Sequence, residues 1–356
     1  MQSNTLRSDT AVANWLLLGV FMIVVQILLG GITRLSGSGL SITEWEVVTG
    51  TLPPLSEAQW LQEFDKYKAT PQYRLLNFDF TLSDFKFIYF WEWFHRLWAR
   101  LLGVVFAIGF VYFLSRGYFR KAMVRPLIIL FLLGGLQGAV GWIMVASGLT
   151  GDAVYVKPTR LALHFILAMG LLWYTFWFAL QLKVSEAGRV VAPALRRFTW
   201  LLIGLLLVQL LFGALMAGHK AAPAAGTWPL IQGRWIPATI WQESPLWRNF
   251  IENKLTIHFV HRNLAFLLAV LLVVWYVRAG AVKDATLLQA TRFVPLALVG
   301  LQALLGIVTV LTARHIIPNR WGIYEWVAQL HQLGGMCLLL SLVWALYLLR
   351  PKPAVA

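Results

Sequence analysis

Cysteine is almost missing from this chain: Cys337 is the only one in 356 residues. No disulfide, iron–sulfur cluster or covalently attached haem, which needs Cys-x-x-Cys-His, can be built within it. Cys337 falls inside the last apolar run and reads as core packing. Charge is also scarce, at 13% against 59% hydrophobic residues, with a mean hydropathy of +0.69. That balance excludes a soluble globular domain and makes the chain an integral membrane protein. Acidic residues number 15 against 30 basic ones. Finally, the stretch ahead of Trp15 has neither a cleavage site nor an Arg-rich transit pattern. This predicts a bacterial inner membrane rather than an imported organelle protein.

What is abundant is apolar sequence in runs long enough to cross a bilayer as helices. Eight can be placed, at roughly 15–34, 86–114, 126–147, 161–182, 198–218, 255–277, 293–312 and 326–349. The net charge of +15 sits in alternate loops: Arg116, Arg120, Lys121 and Arg125; Lys183, Arg189, Arg196 and Arg197; Arg278, Lys283 and Arg292. Arg350 and Lys352 follow the last run. By the positive-inside rule these loops and both termini are cytoplasmic. The basic excess is therefore a topology signal and not a nucleic-acid patch. The first outer loop, 35–84, is acidic, and two capping boxes, Ser56-x-x-Gln59 and Thr81-x-x-Asp84, predict helix starts within it. Trp60 and Phe64 share one face of the first of these helices, as in an amphipathic helix lying on the membrane surface.

A repeat runs through nearly the whole chain. His95 recurs as His261, 166 residues on (261 − 95), and His164 as His331, 167 residues on (331 − 164). Glu92-x-x-His95-Arg96 becomes His258-x-x-His261-Arg262, and His164-x4-Met169 becomes His331-x4-Met336. The odd-numbered runs each carry Gln-x-x-x-Gly: Gln26/Gly30, Gln137/Gly141, Gln209/Gly213 and Gln302/Gly306. Four residues apart means one helix face, so this reads as a packing notch beside an amide. The expected architecture is all-α, with eight transmembrane helices in two four-helix-bundle halves, 15–182 and 198–349. Four spans per half is an even number. The halves are thus parallel repeats about a pseudo-two-fold axis along the membrane normal, which puts all four histidines near the outer face.

A lone histidine in a membrane helix is commonly a hydrogen-bonded packing residue, but four in a repeat-consistent pattern point to chemistry. Two neutral imidazoles on facing helices supply both axial ligands of a six-coordinate haem iron. Zinc fits less well, because it wants further ligands at each pair. Arg96 and Arg262, next to the ligand candidates, and Arg34, at the end of the first span, could neutralise haem propionates. Snorkelling to lipid headgroups competes with that use for Arg96 and Arg262. Glu92 lies one turn from His95 where the other half has His258. A carboxylate there can relay protons or stabilise positive charge; it can also simply orient His95 or pair with an arginine. The asymmetry suggests that one half performs chemistry while the other holds a permanent cofactor.

At these residues the chain resembles the heme A synthase family, over about residues 15–349. The resemblance rests on GGITRLSGSGLSITEW after the first span, FKFIYFWEWFHRLWARLLG around His95, GLQGAVGWIMVASGL in the third span and HFVHRNLA around His261. It implies an oxidoreductase that converts a methyl group of heme O to the formyl group of heme A for cytochrome oxidase, by successive hydroxylation and loss of water. It further implies a resident heme b on His261 and His331, heme O on His95 and His164, and Glu92 as the catalytic acid. Implied partners are heme O, membrane lipid and an electron partner the sequence does not identify; heme O synthase, cytochrome oxidase assembly factors and a second copy of the chain are candidates. Many bacterial members carry cysteine pairs in outer loops. With none, this chain resembles the proteobacterial and mitochondrial branch. Two other functions stay open on the residues alone, a bis-histidine membrane cytochrome b for electron transfer and a haem carrier.

Overall fold

The computed structural model describes residues 2–46, 49–318 and 320–350; Lys352, counted above among the basic residues after the last run, lies outside them. Among the described residues the chain is helical, apart from an isolated bridge between Ile231 and Arg234. The helices are α1 (Gln2–Leu35), α2 (Glu57–Lys68), α3 (Pro71–Leu76), α4 (Leu82–Ser115), α5 (Lys121–Ala146), α6 (Pro158–Lys183), α7 (Pro193–Gly218), α8 (Lys254–Gly280), α9 (Thr286–Thr291), α10 (Phe293–Thr312) and α11 (Ile323–Leu348). Eight segments are long and apolar enough to cross a membrane, with α9 and α10 together forming the seventh. The number of spans is the expected one.

Local chemistry sets the helix ends. Pro158 and Pro193 open α6 and α7, where a fixed φ helps and the missing N–H would have had no partner anyway. Both expected capping boxes form. Ser56 Oγ accepts from Gln59 N at 3.3 Å, and Thr81 Oγ1 accepts from Asp84 N at 3.3 Å. The second box starts α4 at Leu82, a turn before the apolar run at 86. The third span starts earlier than composition suggests, at Lys121 instead of Pro126. A proline early in a helix forfeits little, because few donors there have partners to lose.

α1, α4, α5 and α6 close one ring of neighbours, and α7, α8, α10 and α11 close another. Between the rings α6 meets α7, α11 meets α1, and α6 meets α11. The largest apolar core fills this seam, with Leu172, Leu202, Leu339 and Leu342 all fully buried. It also explains the His-x4-Met pattern. Five residues turn a helix by about 140°, so His164 and His331 can face their own bundles while Met169 and Met336 enter the seam, where both are 0% exposed. Gln332 Nε2 donates to the Ile27 carbonyl at 2.9 Å, fixing the depth of α11 against α1. A side chain at Gly31 would collide with Gln329, so the close approach of these helices needs glycine there.

Two expectations are corrected. Cys337 is exposed, not packed in the core; it follows Met336 by one position, about 100° around α11 and away from the seam. The apolar face of α2 does not lie free for a membrane surface. Phe64 and Tyr67 are buried against Phe85, Ile88 and Tyr89 on the first turns of α4, so protein covers the face that suggested lipid. Burial pushes the Tyr67 phenol up to about 12, and its hydroxyl, joined to Gln72 and Asn77, ties α2 and α3 into a roof at this end.

Candidate functional site

The four Gln-x-x-x-Gly motifs are more than packing notches, because each glycine faces a histidine of a neighbouring helix. A Cβ at Gly30 would lie 3.2 Å from His95, at Gly141 2.8 Å from His164, at Gly213 3.2 Å from His261, and at Gly306 3.0 Å from His331. Each glycine leaves room for an imidazole ring. Three of the glutamines reach the same histidines. Gln137 Nε2 lies 3.2 Å from His164 Nδ1 and donates to the His164 carbonyl at 2.9 Å. Gln302 Nε2 donates to the His331 carbonyl at 2.7 Å, and Gln209 Nε2 is 3.4 Å from His261 Nε2. This clamp was missed in the sequence, although its signal was present: the motif is repeated as often as the histidines are.

All four histidines line one cavity of ≈ 1120 Å³ that spans both rings of helices. It exceeds the roughly 300–1,000 Å³ usual for a small-molecule pocket. The clamping glycines sit five or six residues before the ends of α1, α5, α7 and α10, and α11 is level with α1, so both pairs lie at one end of the molecule. The ring centres of His261 and His331 are 6.2 Å apart, with their planes at 78°. An iron held by an imidazole nitrogen on each side, at roughly 2 Å per bond, spaces the rings by about 6 Å. The Nδ1 atoms of His261 and His331 have no hydrogen-bond partner. Among the described residues no group of three or more His, Cys, Asp or Glu converges as a bare ion would require. Pairs of histidines match a porphyrin iron, which brings its other four ligands with it.

The charged residues around the cavity are unequal in sign. Arg34, Arg96, Arg100, Lys220 and Arg262 line it, against the single carboxylate of Glu92. Glu92 is 2% exposed and fully engaged. Its Oε2 accepts from Ser41 N at 2.7 Å, Ser41 Oγ at 2.8 Å and Ile42 N at 2.9 Å, while Oε1 accepts from Arg96 at 2.7 Å. Of the uses open to it in the sequence, pairing with an arginine is the one seen. Arg96 also donates to the carbonyls of Ile42 and Glu44, both at 2.9 Å. Arg262, its counterpart, donates to the carbonyls of Ala225 and Leu230, the former at 2.6 Å. Each arginine therefore anchors the loop above its own half, a use the sequence did not reveal. Arg34 crosses from α1 to the Ala217 carbonyl of α7, at 3.5 Å.

Other residues fill the rim. Lys220, in a left-handed conformation at φ 48°, holds its ammonium 3.5 Å from the Tyr155 ring. His219 Nε2 lies 2.6 Å from the Ile251 carbonyl, and burial lowers its pKa, as suits a neutral loop staple. His315 is exposed beside Arg314, away from the cavity. The wall between α4 and α5 is built from small residues. Nothing lies within 4 Å of where a Cβ would stand at Gly103, Gly134 or Gly138, all of which line the cavity. At the equivalent places the second half has Ala269, Val299 and Ala303.

Residues 13–343 match the family model described as cytochrome oxidase assembly protein. The chain is 44% identical over 344 residues to the heme A synthase of Rhodospirillum centenum, covering 96% of this chain and 89% of that protein. It is 43% identical over 333 residues to the heme A synthase of Paracoccus denitrificans, covering 92% and 85%. Against the heme A synthase of Bradyrhizobium diazoefficiens it is 47% identical over 305 residues, covering 85% and 83%.

Proposed function

The chain belongs to the cytochrome oxidase assembly family that contains the heme A synthases, and from that premise we propose that it oxidises a methyl group of heme O to the formyl group of heme A. The observation that carries this reading is the pair of clamped histidine sites opening on one cavity, alike in their ligands and unlike at Glu92 and His258. We assign the resident heme b to His261 and His331 and the substrate to His95 and His164. The halves, 15–182 and 198–349, are then parallel repeats, with both sites at the outer face of a bacterial inner membrane and both termini in the cytoplasm. The closed rings of helices and the level histidines support that arrangement. Level sites also disfavour an electron wire across the membrane, which would place its haems at different depths.

The resident haem, when bound, supplies one-electron chemistry beside the substrate. The glycine and glutamine clamps hold each imidazole in position, which keeps the iron where the bundle sets it. The cationic rim offsets the carboxylates that any natural haem carries. The open α4–α5 wall leaves room in the first half for a substrate larger than a bare porphyrin. Glu92 fastens the roof at Ser41 and Ile42, which excludes water from the site below. Through the Ser41 hydroxyl it also offers a route by which a proton can leave the reacting carbon. An external electron partner completes the reaction. Heme O synthase is a candidate supplier of substrate, and cytochrome oxidase assembly factors are candidate recipients of product.

The test is a pyridine haemochrome spectrum with mass analysis of the haems that copurify with the wild type and with His95→Ala and His261→Ala. Loss of b-type haem in His261→Ala alone supports the assignment of the halves. Loss in His95→Ala alone would reverse it. A wild type that returns heme O unconverted, with oxygen and reductant present, would favour a haem carrier.

A further inference from the structure

His258 is the buried titratable group that this reading leaves without a task. It is 0% exposed, yet neither ring nitrogen has a hydrogen-bond partner. Its nearest polar neighbour, the Ala222 backbone in the loop above, lies outside hydrogen-bond geometry. An imidazole buried in this state loses its hydration without compensation, so a partner that arrives with a ligand would account for it. His258 lines the shared cavity. It stands one turn before His261, about 4.5 Å nearer the end of α8, on the side where Lys220 and Arg34 also line the cavity.

The equivalent position in the first half shows what kind of ligand group fits. There Glu92 brings a carboxylate already saturated by Ser41, Ile42 and Arg96; it offers no free donor. His258 does offer one, since a neutral imidazole always carries one N–H. The cavity rim has five cations and a single carboxylate, and that carboxylate is paired. The complementary ligand group is an anion, and the anion on a porphyrin is its carboxylate side chain.

We propose that His258 donates a hydrogen bond to a carboxylate of the haem held by His261 and His331, and so fixes which edge of that haem faces the end of α8. His258 is a positioning residue for the resident haem, and the inference rests on the assignment of that haem to the second half. Glu92 denies the same contact to the substrate, so the two sites hold their ligands by different edges.

The test loads the full chain, in lipid nanodiscs and stripped of haem, with iron protoporphyrin IX or with its dimethyl ester, and measures affinity for each. The wild type should prefer the diacid, and His258→Phe should reduce that preference by about tenfold with little change in diester binding. His258→Gln, which keeps an N–H donor, should restore part of it. If His258→Phe retains the full wild-type preference, or if His258→Gln behaves as His258→Phe while both hold the diester normally, the imidazole serves the loop and the proposal fails. Should His258→Phe bind neither haem, His258→Gln alone decides, its preference lying either near the wild-type value or below it by the full tenfold. His261→Ala run alongside separates the two claims: haem retained there overturns the assignment of the half, whatever His258 does.

Discussion

Glu92 and His258 occupy the same place in the two halves, one turn before a histidine whose ring rests on a glycine of the neighbouring helix. The arginines after those histidines do the same work, each anchoring the loop above its own half. The glycines at 30, 141, 213 and 306 do the same work as well. The halves part at what the −3 position bonds to: Glu92 is satisfied entirely by protein, and His258 by none of it. They part again at the wall, where Gly103, Gly134 and Gly138 stand opposite Ala269, Val299 and Ala303. The shared features build a haem holder twice. The differences make one copy self-contained and roomier, and leave the other waiting for a fixed ligand.

Four substitutions break or sharpen that comparison. The largest effect should come from His261→Ala or His331→Ala. Removing an axial ligand should abolish b-type haem, read from the haemochrome spectrum, whereas His95→Ala should keep it and lose heme A. Next, Glu92→Gln should lower heme A formation by about a hundredfold or more, within the usual range for removing an acid–base group, with b-type haem unchanged. Near-normal heme A output in that variant would remove Glu92 from the mechanism. A smaller effect is expected from the clamps. Gly306→Ala, whose Cβ would sit 3.0 Å from His331, should weaken b-type haem retention by about tenfold, of the order seen when outer-shell support of a metal ligand is lost. Gly141→Ala, at 2.8 Å from His164, should instead spare that haem and slow conversion. Last, Gly138→Leu should fill the open wall and cut turnover a few-fold, while Ala303→Leu in the second half should leave turnover alone. Equal effects of the two would mean that the wall has no part in substrate binding.

Much of this was legible in the sequence because it depended on period and composition. The spans follow from apolar length, and Thr81/Asp84 and Ser56/Gln59 declared their helix starts through donors that need partners. The histidine pairs could be read because a duplication repeats them at a constant interval. The glycine–imidazole contacts were only half visible. Gly141 and His164 lie on different helices, and spacing along one helix cannot say which neighbour fills a notch. Arg96 and Arg262 were harder still, since the carbonyls they hold belong to loops whose path has no period. Cys337 and the apolar face of α2 were misread for a related reason. An apolar residue in an apolar helix is compatible with lipid and with protein alike, and only the placement of the neighbours separates the two.

The sequence by itself determined that the chain is a membrane bundle, that it is duplicated, and that four histidines come in two equivalent pairs. Those properties live in hydropathy and spacing, which are local and additive along the chain. Tertiary structure alone decided that one cavity joins the pairs, that glycine and glutamine hold the imidazoles, and that Glu92 is bonded while His258 is not. Each of these depends on atoms brought together from distant segments, and a buried polar group reveals whether it is satisfied only when every neighbour around it is in place.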